Sequence, residues 1–301
     1  MRILLTGSKG QVGSCLRDRL PESWELIASD SQTLNITDAH NVLNMVKTFE
    51  PDVIINAAGY TKVDAAEADI DRAFAVNATG TLNLAQAAHS IGARLIHIST
   101  EQVFDGHHHV ILTENMAPNP LNVYGHSKLA GELLALNAHV DAVVIRTSWV
   151  YSEYGHNFVK IMLQKGLETP NIRVVDDQIG CPTYAGDLAE TIIRLAALPH
   201  SPRGLLHFAG SQQMSWAEFA QRIFTEAAKI DERYNQVKVE RIATADYQSA
   251  ARRPEFGILD SRTLQNMLPQ PVTDTPLAHI VEKIDEIKII EESGLTDNPL
   301  F

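Results

Sequence analysis

Short apolar runs alternate with stretches that carry apolar residues at helical spacing along the first half of the chain. Ile3, Leu4 and Leu5 form the first run, and Val12, Leu16 and Leu20 follow it until Pro21. That spacing predicts a strand over Arg2–Thr6 and a helix over Ser14–Leu20. Trp24–Ala28 predicts a second strand ending at Asp30, and Thr37-Asp38 caps a helix running to about Phe49, where Pro51 ends it. Asp52–Asn56 is continuously apolar, as a strand buried on both faces requires. A single long helix is predicted over Ile70–Ile91, a strand over Arg94–Ile98, a helix after Asn122 and a strand over Ala142–Arg146. Five strands alternating with helices predict an α/β fold, a Rossmann-type doubly wound parallel sheet. Beyond Trp149 the pattern loosens. Tyr184–Leu198 reads as a helix, Leu205–Phe208 as a strand, and Ser215-Trp216-Ala217-Glu218 as a capping box opening a helix.

A chain of 301 residues suffices for one α/β domain and a smaller lobe. The net charge of −12 argues against nucleic acid as a partner. No apolar run reaches membrane-spanning length, and Met1-Arg2 leads straight into a strand rather than a signal peptide. Cys15 and Cys181 are the only cysteines, so no disulfide framework is expected and a cytoplasmic location fits.

The candidate chemistry gathers at strand ends. Gly7-x-x-Gly10-x-x-Gly13 follows the first strand and opens the first helix, the setting a dinucleotide fingerprint needs. Gly7 permits the tight turn, Gly10 lets the backbone approach a pyrophosphate, and Gly13 allows close packing of helix on strand. Asp30 stands where an acid commonly holds the adenosine ribose, while Lys9 offsets its charge and leaves NADH against NADPH open. Small residues, Ala57-Ala58-Gly59, follow the third strand and let a flat ring or ribose approach. Thr100 closes the fourth strand with a hydroxyl able to bond a reacting oxygen. His107-His108-His109 reads as a solvated loop, since three consecutive histidines cannot readily face one ion, and no metal site is expected. Tyr124 and Lys128 lie one helical turn apart, and an ammonium there is expected to draw the phenol pKa down towards the working range. On this reading residues 1–150 form an NAD(P)-binding Rossmann domain, with elements to about 200 completing it, and 151–301 are mostly a substrate-binding lobe.

Taken together these motifs resemble the extended short-chain dehydrogenase/reductases acting on nucleotide sugars, and among them the dTDP-4-dehydrorhamnose reductases. The resemblance is carried by Gly10-Gln11-Val12-Gly13, Asn56-Ala-Ala-Gly-Tyr60-Thr61-x-Val63-Asp64-x-Ala66-Glu67, Ser99-Thr100-x-x-Val103-Phe104-Asp105-Gly106 and Pro120-Leu-Asn-Val-Tyr124-Gly-x-x-Lys128. It continues through Arg146-Thr-Ser-Trp149, Asp177-Gln178-x-Gly180-x-Pro182-Thr183 and Ala251-Arg252-Arg253-Pro254. The resemblance implies that Gly10, Gln11, Val12, Asp30, Asn35, Ile36, Ala58, Gly59, Tyr60, Tyr124 and Lys128 line an NADPH or NADH site. It implies Thr100, Tyr124 and Lys128 as the catalytic group, Trp149 beside the deoxysugar, and Arg252 with Arg253 on the substrate pyrophosphate. The implied activity is reduction of a dTDP-linked 4-ketosugar for polysaccharide biosynthesis, by a monomer or homodimer.

Departures from the family pattern are informative. Glu101-Gln102 stands where Asp-Tyr is usual, and Gln102 cannot act as the second acid of a dehydratase. Some members bind Mg2+ at a dimer interface through glutamates, one of them in the first helix, where this chain has Cys15. The tail after about Ile287 has no counterpart. A reductase or epimerase of another nucleotide-deoxysugar is an alternative. So is a non-catalytic regulatory subunit resembling the methionine adenosyltransferase β subunit.

Overall fold

The computed structural model describes residues 1–199, 202–268 and 274–292. Among them, six parallel strands make the main sheet: β1 (Arg2–Thr6), β2 (Glu25–Ser29), β3 (Val53–Asn56), β4 (Arg94–Thr100), β5 (Ala142–Thr147) and the strand Gly204–His207. Across the sheet the order is Gly204–His207, β5, β4, β3, β1, β2, every neighbouring pair parallel. The chain runs outward from β1 to β2 and returns to β3 on the other side of β1. That reversal opens a crevice at the carboxyl ends of β1 and β3, where such sheets take ligands.

Alternation along the strands sorts the core. Ile3 and Leu5 of β1 face one side with Ile55, Ile96 and Ile145, under Cys15 and Leu16 of the helix Gln11–Arg19 and Leu188 and Ile192 of the helix Ala185–Ala197. Leu4, Ile54 and Leu95 face the other side, under Val42 and Val46 of the helix Ala39–Phe49 and Leu84 of the helix Thr81–Ile91. Each such side chain, wholly removed from water, contributes about 1.5–3 kcal/mol.

The predicted single helix over Ile70–Ile91 is interrupted. Ile70–Phe74 and Thr81–Ile91 are α-helical, but Ala75–Gly80 between them is a π-helical turn. Side-chain periodicity is nearly blind to one widened turn, and this one lies against the Tyr124 helix. The Asn77 carbonyl presses on Gly131, where a Cβ would come within 2.1 Å of it. The first helix also begins earlier than Ser14, at Gln11 directly after Gly10.

The smaller lobe packs the helices Phe158–Glu168, Trp216–Ala227 and Leu277–Glu292 around Val159, Phe219, Ile223, Phe224 and Ile280. A parallel pair, Asn171–Val175 with Lys238–Ile242, lies against them. The Ser215–Glu218 capping box forms in full, each side chain bonding the other's backbone N–H. The tail after Ile287 continues that last helix to Glu292, and from residue 293 it lies outside the described residues. Among the described residues no helix is long and apolar enough to cross a membrane.

Candidate active site

The glycine turn is held tight by close backbone approach. Gly7 has φ +70°, and a Cβ there would lie 2.5 Å from the Ala57 carbonyl and the Ala58 nitrogen. A Cβ on Gly13 would meet the Gly7 carbonyl oxygen at 2.2 Å. Gln11 and Val12 therefore open a helix whose first-turn N–H groups are left for an anion. The Gln11 side chain turns instead to the far half, accepting from Ser152 Oγ at 3.0 Å.

Asp30 sits past the end of β2. One of its oxygens accepts the N–H groups of Gln32 and Thr33, and the other meets Lys9 Nζ at 2.6 Å. The Lys9 bond and these N–H groups hold the carboxyl well below the usual range. Asn35 is exposed and bonds its own turn at Thr37, whereas Ile36 is buried beneath Gly80, where a Cβ would come within 2.6 Å of it.

Two buried asparagines set the loop after β3. Asn56 Oδ1 accepts from Thr6 Oγ1 (2.8 Å) and the Ala58 N–H (3.1 Å), so its amide nitrogen faces His97 Nδ1 at 3.0 Å. Asn77, in the π turn, accepts the Tyr60 N–H at 2.7 Å and donates to the Tyr60 carbonyl and Ser127 Oγ. Asn77 thereby locks the Gly59-Tyr60 loop to the helix that carries Tyr124. In the sequence Asn77 stands out only as a residue of the stretch Ile70–Ile91, and side-chain periodicity gives no sign of the widened turn that aims it.

That helix, Val123–Ala138, is capped by Asn122, whose side chain accepts the Gly125 N–H at 2.7 Å. Tyr124 and Lys128 are both buried on it. Lys128 Nζ donates to the Ile98 carbonyl at 2.6 Å and lies 3.4 Å from His97 Nε2. Burial pushes its ammonium down to about 8, against the charge of Glu132. A Cβ on Gly59 would stand 4.0 Å from the same nitrogen, so the lysine and the Gly59 loop share one space.

The expected depression of the Tyr124 pKa is corrected here. Burial and the Glu101 carboxylate push the phenol up, and its hydrogen bond with Thr100 opposes them only in part. Lys128 donates to the Ile98 carbonyl, and desolvation is the largest influence on the phenol. Thr100 Oγ1 donates to Glu101 at 2.8 Å, and burial raises the Glu101 carboxyl to about 7. Gly257 makes room for it, since a Cβ there would stand 3.1 Å from Glu101 Cγ.

The helix is fastened from behind by Arg146 of β5. Its guanidinium grips Glu132 with Nε at 2.9 Å and Nη2 at 2.6 Å, and Ser99 Oγ donates to the same carboxylate. From the front, Glu67 accepts the Val123 N–H at 2.8 Å.

The residues that the resemblance assigns to the substrate are placed less simply. Trp149 adopts a left-handed backbone at φ +46°, rare for a bulky residue. Its indole stacks on Trp216, ring centroids 3.5 Å apart and 9° from parallel, and Gly180 lies hard against its edge. One face of Trp149 is thus covered by protein. Arg253 is engaged by Asp64, with Nη2–Oδ2 at 2.7 Å and Nη1–Oδ1 at 3.1 Å, while Arg252 is exposed. Cys15 is wholly buried, its thiol pushed up to about 12 by burial, so it presents no surface ligand.

Comparison with known proteins bears on this geometry. A family model described as the RmlD substrate binding domain matches residues 1–285. The dTDP-4-dehydrorhamnose reductase of Aggregatibacter actinomycetemcomitans is 40% identical over 270 residues, 88% of this chain and 92% of that one. The Escherichia coli K12 enzyme of the same name is 37% identical, covering 88% of this chain and 91% of its own. A crystal structure of the Bacillus anthracis dTDP-4-dehydrorhamnose reductase in complex with NADP superposes with a TM-score of 0.86 at 37% identity. That superposition covers 95% of this chain and 99% of the other.

Proposed function

The chain belongs to the RmlD substrate binding domain family, and from that premise we propose that it is an NADPH-dependent dTDP-4-dehydrorhamnose reductase. In this reading it reduces the C4 ketone of dTDP-4-dehydro-L-rhamnose to give dTDP-L-rhamnose. The observation that carries the reading is that Thr100, Tyr124 and Lys128, with the Gly7–Gly13 turn, meet at the carboxyl edge of one parallel sheet. Identities of 37–40% over most of the chain support the substrate.

The residues fit a dinucleotide. Gly7 and Gly13 let the turn close tightly, since a Cβ on either would strike the protein's own backbone, and Ala58 and Gly59 keep the neighbouring loop free of bulk. When bound, the reduced nicotinamide supplies the hydride for C4. Gln11 and Val12 would offer backbone N–H groups to the cofactor diphosphate, and Asp30 with Lys9 would meet the adenosine ribose. Asn35 would flank the adenine from the surface, with Ile36 packed beneath.

Tyr124 gives its proton to the ketone oxygen as negative charge develops there, and Thr100 positions that oxygen by hydrogen bonding. A phenol pushed up by burial holds its proton until an alkoxide, a far stronger base, is forming beside it. Lys128 stays charged at neutral pH, below its value of about 8, and stabilises the phenolate left behind. Trp149 would form one side of the deoxysugar site, backed by Trp216. The test is purified protein supplied with dTDP- and UDP-linked 4-ketosugars while NADPH absorbance is followed. Rapid oxidation with the dTDP sugar is expected, and turnover of neither sugar would overturn the reading.

A further inference from the structure

The segment from Ser249 to Phe256 crosses from the smaller lobe onto the sheet edge and is tied down at three points. Asp64 accepts the Ala251 N–H at 3.0 Å and clasps Arg253 through both carboxylate oxygens. Asn122, the cap of the Tyr124 helix, donates to the Arg252 carbonyl at 2.7 Å. Gly106 lies so close to the strap that a Cβ there would come within 2.6 Å of the Phe256 carbonyl oxygen. Asp64 itself sits on the short helix Val63–Ala66, which follows the Ala58–Tyr60 loop directly.

The two adjacent arginines are therefore in different states. Three donations from Arg253 are taken, two by Asp64 and one by the Ala251 carbonyl at 3.2 Å, and its charge is balanced. Arg253 in turn holds the Asp64 carboxyl below its usual range. Arg252 is exposed, its backbone is anchored by Asn122, and its guanidinium has no hydrogen-bond or ion-pair partner among the described residues. A guanidinium is costly to hold in place by its own flexible stem, and anchoring its backbone on both sides lowers that cost.

We propose that Asp64 is a positioning residue for diphosphate recognition: it fixes Arg253 as the strap's anchor and so presents Arg252 alone to the substrate diphosphate. The proposal rests on the nucleotide-sugar reading above and assigns unlike tasks to two arginines that look equivalent in sequence. It also ties the strap to the short helix that follows the Ala58–Tyr60 loop, since Asp64 sits on that helix and holds the strap.

The test measures binding of dTDP by calorimetry to the full-length protein loaded with NADPH, together with NADPH affinity alone. Arg252→Gln is expected to weaken dTDP binding about 10–100-fold and to flatten its salt dependence, because an unneutralised charge is lost. Asp64→Asn and Arg253→Gln are each expected to weaken it about three- to tenfold, leaving the salt dependence of dTDP binding unchanged. The double variant is expected to be no worse than either single one, because both remove the same clasp. NADPH affinity is expected to hold within about twofold throughout, which also reports that each variant is folded. Arg253→Lys, keeping one ion pair, is expected to recover part of the loss. If Arg253→Gln weakens binding and flattens the salt dependence as much as Arg252→Gln, or Asp64→Asn tightens binding, Arg253 is itself a ligand and the proposal is wrong. Failure of the unaltered, NADPH-loaded protein to bind dTDP would instead remove the nucleotide-sugar reading on which the proposal rests.

Discussion

The sheet edge that carries Tyr124 and the strap that carries Arg252 are governed by opposite physics. On the edge, Thr100, Glu101, Tyr124 and Lys128 are all buried, and loss of water is the largest influence on the three of them that titrate. At the strap, Arg252 is exposed and Asp64, which holds it from the helix Val63–Ala66, is half out of water, so pairing rather than burial governs Asp64. Desolvation amplifies every charge it leaves in place, which suits proton transfer; solvent exposure tolerates a diphosphate's arrival and departure. Substitutions on the edge are therefore expected to change stability, turnover and pH profile. Those on the strap are expected to change affinity and salt response.

The sharpest way to break this contrast lies behind the edge. Arg146 and Glu132 are both almost fully buried, with side chains 2% and 1% exposed. Arg146→Met strands a carboxylate in the core and is expected to cost about 3–5 kcal/mol in urea unfolding. Pairing it with Glu132→Leu removes the stranded charge and is expected to recover most of that loss. A cost below about 1 kcal/mol for the single change would mean that the edge tolerates charge as the strap does.

Next in size is the chemistry. Tyr124→Phe keeps the buried ring and removes only the proton, so turnover is expected to fall about a hundredfold or more. Cofactor affinity, measured by fluorescence titration, is expected to stay nearly constant. Near-normal turnover would take Tyr124 out of the proton-donor role.

Much of the edge was legible in advance because its signals are local. Gly7, Gly10 and Gly13 announce themselves by spacing, and the five strands by apolar runs; Gly204–His207 lay close to the predicted Leu205–Phe208. Residues that work through tertiary contact were not legible. Asn77 gains its role from a π turn that periodicity does not report, and Asn122 reads only as part of the Pro120–Lys128 motif, with no local sign of its bond to the Arg252 carbonyl. Lys128 reads in sequence as a charge acting on Tyr124, yet the Ile98 carbonyl that accepts its hydrogen bond lies on β4, distant in sequence. Arg252 and Arg253 were visible as a pair, but nothing local says which of them meets Asp64.

A third test titrates the edge directly. Glu101 has a folded-state pKa of about 7 against 4.5 for an ordinary glutamate. Between those values the folded protein holds a proton that the unfolded chain has released, so stability falls as pH rises through this window. The full effect is roughly 3 kcal/mol, reached above pH 7. Glu101→Gln is expected to abolish that slope, raising the urea midpoint at pH 8 relative to the parent while changing it little at pH 4.5. Parallel pH dependences for the two proteins would show that Glu101 ionises as freely as a surface carboxylate.

The smallest effect is expected where the sheet half carries an exposed charge, at Lys9 beside Asp30. Here the edge behaves like the strap, because Lys9 is 73% exposed and its ammonium meets Asp30 at 2.6 Å. An unpaired Asp30 carboxylate would repel a ribose 2′-phosphate while still accepting from ribose hydroxyls. With Lys9 in place that repulsion is balanced, and the same ammonium is free to move between carboxylate and phosphate. Lys9→Ala is therefore expected to weaken NADPH binding roughly three- to tenfold while leaving NADH within about twofold. The difference is expected to shrink as ionic strength rises, since exposed charges are screened within roughly 8 Å at physiological salt. Equal losses for both cofactors, unaffected by salt, would mean that Lys9 only shapes the glycine turn.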